Sequence, residues 1–326
     1  MVRKMIRKKT RVPMLVALLL LLGIIVFVFK SFTSLQGQLL PEDVSRTGAS
    51  LVSVKKAVSG SHNFIPPESL YSSNAILVCL TDRITLMQKK SEEKIYPASL
   101  TKMMTVIVAI ENISDIQERI ELSNDMFQGL YNANAATAGF QPGEEVKAID
   151  LLYGALLPSG AECCIGLANE VAGSEEAFVE LMNKKAGELA LADTNFVNTT
   201  GLHDKNHYTT VKDMATLLGY ALENETFREI FTTERHSTSA TNKHPDGITF
   251  YSTMYKKLDA RDILNGRILG GKTGYTGEAG LCLASLALKD GKEYILITVG
   301  AKGDHQSEQY NISDAMAVYN NLGKES

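Results

Sequence analysis

Cysteine is scarce in this chain, with four among 326 residues. Without paired spacing they cannot make a disulfide framework. Cys79 and Cys282 sit in apolar strand-like stretches, where a free buried thiol is the expected state. Cys163 and Cys164 are neighbours and cannot form an ordinary bridge with each other. Among the six histidines there is no His-Glu-x-x-His pattern, which removes the usual zinc-peptidase signature. His203 and His207 are suggestively spaced, but Asp204, Lys205 and Asn206 between them read as a turn. Positive charge is also sparse outside the first thirty residues. Beyond residue 30 there are 26 basic against 37 acidic side chains, a balance that disfavours nucleic-acid binding.

What is present is the composition of a globular protein, with 44% hydrophobic and 21% charged residues. The first thirty residues hold seven basic groups and no acidic one. Within them runs an unbroken apolar stretch at 14–29, which Val12, Pro13 and Phe32 extend toward the length of a membrane-spanning helix. Basic residues ahead of the run place residues 1–11 in the cytoplasm and send the rest of the chain outward. No Ala-x-Ala-like cleavage site follows Phe29, which favours an uncleaved transmembrane anchor over residues 12–30. Residues 31–67 are polar and aperiodic and read as an extracytoplasmic linker; a folded domain over 68–322 follows.

Within that domain the pattern predicts a strand over 75–80, a hairpin partner over 84–87, and helices over 150–157, 163–171, 177–191 and 211–222. Strands over 281–288 and 294–301 and a helix over 314–320 close the chain, which suggests one sheet completed from both ends of the domain. The stretch that organises the rest is residues 96–105, Tyr-Pro-Ala-Ser-Leu-Thr-Lys-Met-Met-Thr. The apolar run after it predicts a buried helix ending near Glu111, with Ser99 in its first turn and Lys102 one turn on. Residues at i and i+3 share a helix face, so a hydroxyl and an amine meet there. A lysine activates a serine only when its pKa is depressed, by burial or by another cation. The pattern therefore predicts a buried lysine beside a second positive charge. Ser-x-x-Lys recurs at Ser53 with Lys56 and at Ser91 with Lys94, in polar surroundings that read as solvated surface. Two further boxes single out Ser99: Ser159 on a loop after Pro158, and Lys272-Thr273-Gly274 just ahead of a strand.

These boxes, with residues 151–160 (Leu-Leu-Tyr-Gly-Ala-Leu-Leu-Pro-Ser-Gly), 198–203 (Asn-Thr-Thr-Gly-Leu-His) and 271–276 (Gly-Lys-Thr-Gly-Tyr-Thr), make the chain resemble the serine D-alanyl-D-alanine carboxypeptidases, the low-molecular-mass penicillin-binding proteins. The resemblance implies an α/β fold of the β-lactamase/transpeptidase kind, a three-layer sandwich of an antiparallel sheet with helices on both faces and a helical subdomain. It implies an acyl-enzyme on Ser99, with Lys102 as base and Ser159 relaying a proton to the leaving amine. Lys272 and Thr273 would bind the substrate's terminal carboxylate, Gly274 would let the ligand lie close against the backbone, and Lys302 would add a second positive charge. The backbone N–H groups of Ser99 and Tyr275 would form the oxyanion hole. Neither a cofactor nor a metal is implied. The implied partners are peptidoglycan stem peptides ending in D-Ala-D-Ala, β-lactams as covalent inhibitors, and the membrane of a bacterial envelope of Gram-positive type.

One departure bears on the chemistry. The family's middle box is Ser-x-Asn, whereas this chain has Ser159-Gly160-Ala161 followed by Glu162. Ala161 has no amide to hold the catalytic lysine, so Glu162 swinging in, backbone or water are the candidate substitutes. That change keeps open a catalytically impaired penicillin-binding sensor or scaffold. A β-lactamase is a further alternative, disfavoured because no loop glutamate is placed for deacylation.

Overall fold

The computed structural model describes residues 65–323, apart from 131, 132 and 134. The apolar run at 14–29 and the linker up to residue 64 lie outside the described residues. Among the described residues no helix is long and apolar enough to cross a membrane.

Strand β1 (Asn74–Cys79) is buried at every position. Successive side chains of a strand point to opposite faces, and here Ile76 and Val78 enter one core while Ala75, Leu77 and Cys79 enter another. A strand covered on both sides reads as an unbroken apolar run, which is how the sequence reveals it. β1 pairs with β2 (Ile84–Lys89) on one side and with β10 (Lys292–Ala301) on the other, from Asn74 opposite Val299 to Cys79 opposite Tyr294. With β9 (Gly280–Lys289), β8 (Gly266–Thr276) and the two-residue β7 (Asp262–Ile263), the order is β2-β1-β10-β9-β8-β7, antiparallel throughout. The sheet is thus completed from both ends of the domain, as the pattern suggests.

Seven helices among the described residues cover it. On one face α7 (Tyr310–Asn321) packs on β9 and β10, with the fully buried Tyr319 donating to Ser285 O at 3.2 Å. On the other face α5 (Val211–Ala221) lies on β1 and β10, and α6 (Glu225–Thr232) lies on β8. Beyond them stand α2 (Ala148–Leu156), α3 (Ala161–Ala172) and α4 (Glu175–Glu188). Helix α1 (Lys102–Asn112) runs through their midst, touching α2, α3, α4, α5 and α6. Every residue from Lys102 to Ala109 is buried, so its apolar character wraps the whole circumference instead of forming a stripe.

Three features escape the sequence pattern. Helix α6 begins at Asn224, whose Oδ1 accepts from Phe227 N at 3.0 Å; at eight residues it is too short to show a period. The hairpins β3 (Arg119–Leu122) with β4 (Glu144–Lys147), and β5 (Arg235–Ser237) with β6 (Thr249–Tyr251), pair across long connections without a two-residue turn signal. The third is a correction: Lys272-Thr273-Gly274 lies inside strand β8 and not ahead of a strand. Its glycines answer to close packing. A Cβ on Gly270 would sit 2.3 Å from Phe231 O, and one on Gly271 would sit 2.4 Å from Met254 Sδ.

The N-terminal edge of the domain is held by the buried Asp314 of α7, whose carboxylate accepts from Tyr71 N at 2.9 Å and Ser72 N at 2.8 Å. Removing it leaves the Ser72 donor buried and unpaired. Asp314→Ala is therefore expected to lower unfolding free energy by about 1–3 kcal/mol, read as a drop in urea midpoint at unchanged slope.

Candidate active site

A 3₁₀ turn over Ala98–Thr101 leads into α1 and presents Ser99, the half-exposed residue of the turn. Ala98 takes φ +47°, a left-handed conformation unfavourable for a residue with a Cβ, so something must hold it there. Thr101 Oγ1 donates to Ala98 O at 2.8 Å and in turn meets His207 Nε2 at 2.8 Å. Val197 N donates to His207 Nδ1 at 3.2 Å, which makes Nδ1 an acceptor and leaves Nε2 carrying the proton. Burial pushes the His207 imidazole down to about 4, which keeps it neutral in this relay. Both its nitrogens are consumed, while the partly exposed His203 meets the Tyr96 ring edge-on at 4.6 Å. Among the described residues no three His, Cys, Asp or Glu side chains group to hold a metal ion.

The loop at 198–203 is the second support. Asn198 Oδ1 accepts from Gly201 N at 2.7 Å and Thr200 N at 3.1 Å, folding the loop onto itself. Gly201, at φ +79°, passes so close to the turn that a Cβ would lie 1.9 Å from Ala98 O. The fold thereby delivers Thr200 O to Lys102. Lys102 Nζ donates to Thr200 O at 2.7 Å and to Ser99 Oγ at 3.1 Å. The serine–lysine pair expected from the three-residue spacing is formed.

The second pair comes from elsewhere in the chain. Ser159 lies between α2 and α3 at φ +72°, held by Gly160 N donating to Gly154 O and Ala161 N donating to Ala136 O, both at 2.8 Å. Lys272 Nζ, fully buried, donates to Ser159 Oγ and to Thr273 O, both at 2.9 Å. Burial pushes the Lys102 ammonium below its ordinary value, and the nearby Cys164, Glu162 and Cys163 oppose that shift. Burial and then the charge of Lys102 push Lys272 well below the ordinary value. The expected second lysine is present, but what lowers Lys102 is its removal from water.

Glu162 does not swing toward Lys102. Its Oε1 accepts from Ala138 N at 2.6 Å and Gly139 N at 3.0 Å, so it braces the loop carrying Ala135 and Ala136 along the cleft wall. Burial pushes its carboxyl above the ordinary value, against the pull of backbone N–H groups. Lys102 has the carbonyl of Thr200 as its second partner, at 2.7 Å.

These groups border one cleft of about 400 Å³. Ser99, Lys102, Ser159, Thr273, Gly274 and Tyr275 line it, and Lys272 lies directly behind them. Lys302 is the exception: it is exposed at the end of β10 and does not line the cleft, because the chain turns away there. Lys256 and Lys257 from a 3₁₀ turn, Thr253, and His305 and Asn311 from near α7 line it instead. Thr253 Oγ1 stands 2.6 Å from Thr273 Oγ1. No sequence motif marks these residues; they come from the 250–257 segment and from the chain at 305–311, which the fold places at one cleft.

Residues 62–303 match the family model described as D-alanyl-D-alanine carboxypeptidase. The D-alanyl-D-alanine carboxypeptidase DacF of Bacillus subtilis is 31% identical over 232 residues, 71% of this chain and 57% of that protein. DacC of Escherichia coli, of the same description, is 32% identical over 228 residues, 67% of this chain and 54% of that protein. The chain thus spans a little over half the length of these curated relatives. In fold it is similar to the Streptomyces K15 DD-transpeptidase, with a TM-score of 0.70 at 23% identity over 79% of this chain and 98% of that one.

Two measurements check the supports of the serine. Gly201→Ala forces a Cβ onto a backbone oxygen at positive φ, and a loss on the order of 3 kcal/mol or more is expected in denaturant titration. His207 binds no proton in the fold until about pH 4, whereas the unfolded chain protonates it near 6.5. Its contribution is therefore complete above pH 6.5 and lost as pH falls toward 4, a difference of roughly 3 kcal/mol. The parent should lose more stability than His207→Gln between those two pH values.

Proposed function

Because the chain belongs to the D-alanyl-D-alanine carboxypeptidase family, we propose that it is a serine D,D-carboxypeptidase that removes the terminal D-alanine from peptidoglycan stem peptides. The observation that carries this reading is the contact of Lys102 Nζ with Ser99 Oγ at 3.1 Å, made by a buried lysine on the floor of an open cleft. Neutral Lys102 takes the serine proton as Oγ attacks the carbonyl between the two D-alanines. The oxyanion is met by the backbone N–H groups of Ser99 and Tyr275. What supports that pairing is the approach of β8 to the turn: a Cβ on Gly274 would lie 3.1 Å from Ser99 N. Ser159, bonded to Lys272, passes the proton to the departing amine. D-alanine leaves, an ester on Ser99 remains, and water attacks that ester to restore the hydroxyl. β-Lactams follow the first half of this course and stay attached.

Strand β8 also offers a place for the peptide. Its short neighbour β7 pairs only with Gly266 and Arg267, so among the described residues the edge from Lys272 to Thr276 has no strand beside it on the cleft side. An extended peptide laid along that edge finds backbone partners there, with the reacting bond held over Ser99. Residues 12–30 are read as a single-pass anchor and 31–67 as its linker, which puts the domain on the outer side of a bacterial membrane. The apolar run and its flanking basic residues support that placement.

The purified chain should release D-alanine from a pentapeptide ending in D-Ala-D-Ala, and Ser99→Ala should abolish the release. An unmodified parent that folds but releases nothing would move the assignment to a penicillin-binding sensor. Acylation should accelerate as pH rises through a limb lying below the ordinary lysine range, because the depressed Lys102 acts in its neutral form. A pH profile of the rate of β-lactam acylation reads that limb.

A further inference from the structure

The carbonyl that holds Lys102 is itself held, because each backbone polar group from Thr199 N to Gly201 N has a partner. Thr199 O accepts from Thr105 Oγ1 at 2.7 Å, Thr200 N and Gly201 N donate to Asn198 Oδ1 at 3.1 and 2.7 Å, and Thr200 O accepts from Lys102 Nζ at 2.7 Å. These bonds tie the loop to itself and to α1. The tie to a third element comes from Glu175 of α4. Its Oε1 accepts from Thr199 N at 2.9 Å and from Thr199 Oγ1 at 2.6 Å. Thr199 is fully buried, so one carboxylate oxygen satisfies two donors that water does not reach.

An acid in the first turn of a helix usually has a local reason, the attraction of the helix N-terminus for negative charge. In α4 that need is met next door: Ser174 Oγ accepts from Ala177 N at 3.2 Å, and Glu176 beside it is exposed. Glu175 instead reaches a residue 24 positions along the chain. About two turns later on the same helix, Asn183 grips the segment just upstream. Its Nδ2 donates to Phe196 O at 2.8 Å and its Oδ1 accepts from Phe196 N at 2.9 Å. Helix α4 thus holds the chain at Phe196 and again at Thr199, and the next carbonyl is the one bonded to Lys102.

We infer that Glu175 is a positioning residue for acylation of Ser99: it fixes the backbone at Thr199 so that Thr200 O keeps Lys102 Nζ within reach of Ser99 Oγ. The inference rests on the acylation proposed for the same cleft and deepens it. Glu175 does not line the cleft, so its effect passes through Thr199 and Thr200 to the lysine. What the loop takes from position 175 is an acceptor oxygen, and a glutamine amide supplies one with two lone pairs for the two bonds. When the carbonyl shifts, the lysine is no longer aimed at the serine, and small displacements of a reacting group cost rate out of proportion to their size.

The test follows acylation of the whole chain by a fluorescent penicillin over a range of concentrations, which separates the limiting rate from the half-saturating concentration, with D-alanine release measured in parallel. Glu175→Ala is expected to lower the limiting acylation rate about ten-fold at an unchanged half-saturating concentration, with all of the protein labelled in the end. A residue that served stability alone would reduce the labelled fraction and leave the rate of the folded molecules as it was. Glu175→Gln should restore most of the rate. Thr199→Val, which removes only the hydroxyl, should lower the rate about three-fold and reads the same contact if Glu175→Ala does not fold. A limiting rate that holds in Glu175→Ala, or in Thr199→Val where the first variant does not fold, would overturn the inference. So would a loss confined to the half-saturating concentration, a loss that Glu175→Gln does not repair, or a parent that penicillin does not acylate. A parent that is acylated, is slowed by Glu175→Ala and yet releases no D-alanine would leave Glu175 in its role and overturn the carboxypeptidase reading. Release of D-alanine by Glu175→Ala at the parent's rate, with acylation equally unchanged, would do the reverse.

Discussion

Keeping a lysine ammonium out of water beside a serine is the constraint on which the rest of this structure depends. A lysine in solvent is protonated and cannot take a proton from a hydroxyl. Lys102 escapes that fate by starting a helix that is buried on all sides, with its Nζ facing Ser99 at the cleft. The cost of removing it from water is offset by a short bond to Thr200 O and by the packing of α1 among five other helices. Lys272 meets the same demand from the sheet, bonded to Ser159 and fully buried. Two serine–lysine pairs from distant parts of the chain thus share the floor of one cleft.

That floor rests on strained backbone. Ala98 and Ser159 both adopt positive φ without being glycine, one beside the nucleophile and the other within the second pair. Each is held by a network remote in sequence. The relay from Val197 through His207 and Thr101 fixes Ala98, and the loop at 135–140, braced by Glu162, fixes Ser159 through Ala136. Next to Ala161, Glu162 holds the 138–139 backbone, while Lys102 donates to the carbonyl of Thr200.

Charge is distributed with equal economy. The domain is acidic, yet the walls of its cleft carry lysines, histidine, hydroxyls and backbone, and no carboxylate lines it among the described residues. Field lines from a few cations in a concave, low-dielectric site reach further than the same charges on an open surface. The edge of β8 supplies orientation and the lysines supply the sign.

Local features carried much of this into the sequence. The Ser99–Lys102 spacing, the buried strands at both ends of the domain and the loop position of Ser159 were legible because each depends on neighbours within one turn or one strand. An unbroken apolar run also exposed the central helix, since burial on every side removes the polar face. Other features had no local cause to read. Thr200 O reaches Lys102 from 98 residues away, Glu162 turns to the 138–139 backbone, and the segment with Lys256 and Lys257 closes the cleft where Lys302 was expected. A backbone carbonyl belongs to every residue, and an exposed lysine looks the same wherever it falls, so side-chain identity marks neither. The sequence by itself determined the reacting pair and the strands that frame it, because hydroxyl, amine and hydrophobicity are properties of the residues. Only the tertiary structure decided which carbonyl holds the lysine and which lysines line the cleft, because those are properties of distance.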